Sequence, residues 1–116
     1  MLREEMDKPG DAVAVLGRLA DKYKGPKAIE ALLLAAEIYR KDLKDSAGEV
    51  KMYDRIAAEY PADPQAPKAL YAAGEVFEKN LAQEKAGEYY GRVIANYADN
   101  SMAKKAQKRI DAMNGK

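Results

Sequence analysis

Apolar residues recur along this chain at intervals of three and four, and no stretch alternates polar with apolar for long. That is the period of an α-helix face rather than of a strand. Alanine, leucine, glutamate and lysine fill the intervals, as helices prefer, and β-branched residues are few. Breaks fall at Lys8-Pro9-Gly10, Lys24-Gly25-Pro26, Lys44-Asp45-Ser46, Tyr60-Pro61-Ala62-Asp63-Pro64, Ala82-Gln83-Glu84 and Ala98-Asp99-Asn100. They predict six main helices, at about 10–24, 27–43, 46–60, 64–81, 84–97 and 101–113, with residues 1–8 as the tail of another. Helices of about fifteen residues joined by such short connections predict antiparallel neighbours.

Several breaks carry helix-start chemistry. Ser46-Ala47-Gly48-Glu49 reads as a capping box, with the serine on the third backbone N–H and the glutamate reaching back. Asp63-Pro64 reads as a cap followed by proline at the first helical position, and Gly25-Pro26 as one helix stopping and the next starting. Asn100 or Ser101 is placed to cap the last helix.

The helices repeat in pairs. The following helix of each pair reads Ala12-Leu16-Leu19-Tyr23, then Glu49-Tyr53-Ile56-Tyr60, then Ala86-Tyr90-Val93-Tyr97, displaced by 37 residues each time. The spacing of four, three and four predicts one inward face. The leading helix repeats too: Ala31-Leu32, Ala35-Ala36-Glu37-Ile38-Tyr39 and Leu43 return as Ala69-Leu70, Ala73-Gly74-Glu75-Val76-Phe77 and Leu81, displaced by 38. Ala66, Lys68 and Ala69 recur as Ala103, Lys105 and Ala106. Leu2 and Met6 stand where Tyr39 and Leu43 stand later, so the reading expects a helix remnant at the start and a fragment of a longer protein. One helix pair cannot bury its apolar face alone, and stacking about three buries a continuous core.

Composition narrows the function. The 116 residues suffice for a single domain, 1–116, with 47% apolar and 34% charged residues and a net charge of +1. No strong field draws such a chain to nucleic acid or anionic lipid. It has no cysteine and no histidine. Disulfides, a thiol nucleophile, a histidine general base and most zinc sites are thereby excluded. No apolar run approaches the roughly 18 residues that a membrane span needs. The absence of cysteine suits cytosol and periplasm equally.

These residues resemble the tetratricopeptide repeat family. The resemblance rests on small Ala36 and Gly74 followed three residues later by Tyr39 and Phe77. It rests also on Ala12 and Ala86 opening the following helix, on Tyr53 and Tyr90, and on Pro61. The family's early tryptophan position holds Leu32 and Leu70, the period exceeds 34, and Glu49 stands where alanine is the rule. Tyr60-Pro61-Ala62-Asp63-Pro64 looks most like a bacterial branch that includes outer-membrane assembly lipoproteins and the periplasmic coordinator of the tol–pal system. The resemblance implies an all-α fold of antiparallel helix-pair repeats, stacked as a short right-handed α-solenoid. It also implies a setting in the bacterial periplasm or cell envelope.

By the family's geometry, Leu33, Glu37 and Arg40, then Tyr71, Glu75 and Glu78, then Lys105 and Lys108 would line a concave groove. An apolar and aromatic centre flanked by acids and bases complements a peptide or helix of a partner protein with an apolar anchor and some basic residues. The carboxylate pairs Glu4/Glu5, Glu75/Glu78 and Glu84/Glu88 read as solvated surface rather than as catalytic pairs. Lys104, Lys105, Lys108 and Arg109 read as a solubilising cap on the last helix, where Ala106, Ile110 and Met113 face inward. Six of the eight tyrosines, at 23, 39, 53, 60, 90 and 97, stand at repeat positions and read as core. The reading is a non-enzymatic protein-binding module with no cofactor, no metal, no nucleic-acid partner and no inserted membrane segment. The alternative is a structural spacer whose apolar ends, including Leu16 and Leu19, stack on further repeats or on a second copy.

Overall fold

Proline, aspartate and asparagine start these helices, each for its own reason. The computed structural model describes residues 8–115. Among them all regular structure is helical: α1 (Pro9–Lys22), α2 (Pro26–Ile38), a π-helical turn (Tyr39–Leu43), α3 (Ser46–Glu59), α4 (Gln65–Lys79), α5 (Gln83–Asn96) and α6 (Ser101–Met113). The remnant expected at 1–8, with Leu2 and Met6, lies apart from Lys8 outside the described residues, as do Glu4 and Glu5.

Pro9 and Pro26 take the first helical position, where a missing N–H costs nothing. Gly25 before Pro26 sits at φ 82°, a conformation that glycine adopts without strain. The Asp63 carboxylate accepts from the Gln65 N–H at 2.9 Å, and the Asn100 side chain accepts from the Met102 N–H at 2.9 Å. The capping box expected at Ser46 is corrected. Asp45 caps α3, its Oδ1 accepting from the Gly48 N–H at 3.0 Å. Ser46 is already inside the helix, and Glu49 turns inward, 4% exposed, to accept from the Tyr53 hydroxyl at 2.9 Å.

The π-helical turn resolves an irregularity of the repeat. Leading helices recur at 38 residues and following helices at 37, so the first pair holds one extra residue between them. A π turn is an α-helix widened by one residue. Both leading helices then close on a left-handed residue, Lys44 at φ 53° and Leu81 at φ 63°, which stand 37 apart. After α4 the Leu81 N–H bonds to the Glu78 carbonyl at 3.1 Å and the Ala82 N–H to the Phe77 carbonyl at 2.8 Å, the paired bonds of a Schellman end. After the π turn the Asp45 N–H reaches the Tyr39 carbonyl at 2.9 Å.

Contacts divide the chain into two compact units, residues 1–56 and 57–116. In the first, α1 packs on α2 and on the π turn. Ala28, Ile29, Leu32, Ala35 and Ala36 of α2 are buried, as are Val50, Tyr53 and Ile56 of α3. Gly48 lies under the Tyr39 ring so closely that a Cβ there would stand 2.4 Å from it. Arg55 reaches Asp21 across α3 and α1 at 2.8 Å. Tyr23 and Leu19, expected in the core from their repeat positions, are 42% and 39% exposed.

In the second unit α4 packs on both α5 and α6, and these two on each other. Ala57, Leu70, Ala86, Tyr90, Val93, Ala103 and Ala106 form its core. Full burial of a side chain such as Leu70 or Val93 contributes about 1.5–3 kcal/mol. At Gly74 two helices approach closely: a Cβ there would lie 2.5 Å from the Tyr90 ring.

Candidate functional site

With Leu70, Gly74 and Val76 of α4 buried, the intervals of four and three bring Tyr71, Glu75 and Glu78 onto one face. Tyr71 is half-buried, its ring 5.3 Å from that of Tyr90 on α5 and inclined at 43°. Tyr90 is fully buried, and its hydroxyl donates to Glu78 Oε1 at 2.8 Å. Arg109 of α6 donates its Nε to the same oxygen at 3.1 Å and its Nη2 to Glu78 Oε2. Glu78 thus joins three helices through one carboxylate, with the forked geometry that arginine alone offers. Glu75, Glu78, Lys79 and Arg109 line a cleft of about 260 Å³ beside it.

The two carboxylates of this face are driven in opposite directions. The Arg109 hydrogen bonds hold the Glu78 carboxyl below its ordinary pKa of 4.5, against partial burial, and the Tyr90 hydroxyl helps. Glu75 is pushed above its ordinary value, chiefly by lost hydration of its carboxyl although the residue as a whole is exposed, while Lys79 pulls it down and the charge of Glu78 adds to the rise. Burial also raises the Tyr71 phenol, with Glu75 adding to it. Burial and the Glu78 carboxylate raise Tyr90, and Glu78 raises Arg109. Among the described side chains Glu75 has no hydrogen-bond or ion-pair partner, and Lys79, Arg109 and Lys105 act on it only through their charge.

Of the residues predicted for the groove, Tyr71, Glu75 and Glu78 meet on α4, and Lys105 acts on Glu75 through its charge. Lys105 and Lys108 are exposed on α6. Leu33, Glu37 and Arg40 belong to the first unit. Leu33 is partly buried, Arg40 is exposed in the π turn, and Glu37 accepts from Lys41 at 2.9 Å, which lowers its pKa.

Two expectations are corrected here. Glu78 is no solvated surface acid, because Tyr90 and Arg109 occupy both of its oxygens. Arg109 is no member of a merely solubilising cluster, although Lys104, Lys105 and Lys108 beside it are exposed. The repeat carried a signal for this pair. Glu78 stands where the preceding copy has Arg40, and Arg109 stands where it has Ala72, so the two partners enter together.

Among the described residues no group of histidine, cysteine, aspartate or glutamate is arranged to hold a metal ion, and no helix is long and apolar enough to cross a membrane. These features define an all-helical protein built of paired helices, with small residues at the crossings and a polar face on the leading helix. The Tetratricopeptide repeat model matches residues 30–63 and again 68–100, more than half of the 116, and the chain belongs to the tetratricopeptide repeat family. Each match takes one leading helix with its follower, α2 with α3 and α4 with α5. Repeats of this family are generally protein–protein interaction modules and typically non-enzymatic scaffolds. No curated protein and no solved structure matches the chain.

Proposed function

We propose that this chain binds a peptide or helix of a partner protein on the polar face of α4, with Tyr71 as the apolar anchor and Glu75 as the charge that selects a basic residue. The observation that carries the reading is the contrast between the two glutamates. Glu78 is held by Arg109 and Tyr90, whereas Glu75, partly stripped of water beside the same cleft, lacks a partner among the described side chains. A lysine or arginine brought to Glu75 would relieve that imbalance, and Lys105 and Lys108 would favour acids at the other end of the ligand. The motif at Tyr60–Pro64 supports the setting: one component of a multi-protein assembly in the bacterial cell envelope.

A panel of short peptides pairing one large apolar side chain with a lysine or arginine tests this. The intact chain retains such peptides, and the Tyr71→Ala/Glu75→Lys double variant loses them while keeping its helical circular dichroism. Glu75→Lys alone shifts the preference to peptides bearing aspartate or glutamate. Equal retention by chain and double variant would overturn the assignment.

A further inference from the structure

Arg55 and Arg92 stand 37 residues apart, at the same place in successive following helices. Their surroundings differ. Arg55 of α3 donates its Nη2 to Asp21 of α1 at 2.8 Å, and Glu59 follows it by four residues. At the corresponding places around Arg92 the sequence has Ala58 and Asn96, so the arginine is kept while both acids give way to neutral residues. Tyr89 replaces Met52 in the same register, and the Arg92 guanidinium carbon lies 5.0 Å from the centre of the Tyr89 ring. Among the described residues Arg92 makes no hydrogen bond and no ion pair, even with Glu88 four residues before it on α5. A cleft of about 340 Å³ opens here, wholly within the second unit, lined by Ala57, Pro61, Leu70, Arg92, Asn96 and Tyr97. The Tyr97 hydroxyl is committed to the Pro61 carbonyl at 2.7 Å. The Arg92 guanidinium and the Asn96 amide remain as side-chain donors, and none of the described residues on the wall is an acid.

We propose that this cleft binds a carboxylate, presented as an aspartate or glutamate side chain by a partner protein. The first unit shows which group suits an arginine at this place, and the second unit has lost that group from its own sequence. An aromatic face holds a guanidinium without using up its N–H groups, so all of them remain for a carboxylate to take in a fork. The Asn96 amide supplies a further donor for the same group. With Ala58 and Asn96 in place of acids, nothing at those two positions repels the newcomer. A single arginine near the surface holds a free acid only weakly. The carboxylate therefore needs a carrier whose apolar atoms cover the exposed Pro61 beside it. The inference does not depend on the Tyr71–Glu75 reading.

Two measurements on the 116-residue chain test this. In the first, Ala58→Asp restores the missing acid, and NMR follows the titration of the introduced carboxyl. Its pKa is expected to rise when Arg92→Gln is added, because the arginine favours the charged form. An unchanged value would mean that Arg92 does not reach a carboxylate at this place, and would sink the proposal. In the second, a displayed library of random seven-residue peptides is selected on the intact chain. Peptides with aspartate or glutamate beside an apolar residue are expected to be retained. The affinity of a selected peptide, read by fluorescence anisotropy, falls about tenfold or more when its acid is changed to the amide or when the protein carries Arg92→Gln. Ala58→Asp weakens it too, by supplying a competitor from within the chain. Ala58 and Arg92 are both exposed, so these variants keep the fold. Retention of no acidic peptide, or equal affinity for the chain and both variants, would overturn the assignment. So would sodium propionate binding as tightly as the peptide, since the cleft would then belong to a free acid.

Discussion

Tyr53 and Tyr90 occupy the same place in successive repeats, 37 residues apart, and both are buried with their hydroxyls donating to a carboxylate. Their partners differ in kind. Tyr53 finds Glu49 one turn back on its own helix, so the bond closes within α3. Tyr90 finds Glu78 on α4, which Arg109 of α6 holds from the other side. A buried hydroxyl must have an acceptor, but the repeat fixes only the hydroxyl. The first copy meets it with a bond inside one helix, whereas the second uses the same requirement to tie three helices together.

The glycines beneath the aromatic rings break this comparison most sharply. Gly74 faces Tyr90, a ring with no exposed surface and no room to move. Gly74→Val is expected to destabilise by about 3 kcal/mol in chemical denaturation, at the upper end of overpacking effects. Gly48 faces Tyr39, which is only half-buried and can swing outward, so Gly48→Val costs about 1 kcal/mol. Equal losses would mean that the two rings are equally confined.

Removal of the acceptors is next in size. Glu78→Ala strands the Tyr90 hydroxyl and releases Arg109, with an expected loss of about 1–3 kcal/mol. Arg109→Ala should recover part of the same loss and couple to Glu78→Ala in a double-mutant cycle. Glu49→Ala should show no such coupling to any residue of another helix.

Acid sharpens the contrast further. Arg109 lowers the Glu78 pKa below 4.5, so the carboxylate's contribution is fully present above that value and is lost as pH falls through the lower folded pKa. Stability measured from pH 5 downward should therefore decline less steeply in Glu78→Gln, which keeps an oxygen for Tyr90 but no charge to titrate. An unaltered slope would mean that Glu78 carries little of the acid sensitivity. The smallest effect concerns the helix ends. Leu81 holds φ 63° with its side chain 83% exposed, and Leu81→Gly is expected to stabilise by about 0.5–1 kcal/mol, read as a small rise in Tm.

The sequence announced the helices because their period, their prolines and their caps are local properties. It marked Gly74 as a small residue and Tyr90 as a core tyrosine because each recurs at a fixed place in the repeat, but the meeting of the two emerged only from the structure. The Glu78–Arg109 pair was missed: 31 residues separate its members, composition marked both as surface charge, and only their joint departure from the repeat pointed to it. The cap of α3 was misplaced by one residue because Asp45 and Ser46 offer the same chemistry and only the backbone decides between them. Leu19 and Tyr23 bear the marks of a core position, yet burial depends on the helix that lies over a face and not on the face's own pattern. Within the candidate site Tyr71 and Glu75 were expected from the family resemblance, while the difference between a committed and an uncommitted glutamate emerged only from the geometry.

The π-helical turn at Tyr39–Leu43 has a consequence for anyone who would shuffle these helix pairs. It lets two periods of unequal length share one chain, as a vernier reconciles two scales: upstream and downstream of it, every residue keeps its own mesh. An α-helix rotates about 100° per residue. A chimera that keeps the turn without its extra residue would arrive at the next helix one step out of phase. Gly48 would then face away from Tyr39, and the inward face of the following helix would be lost in a single splice.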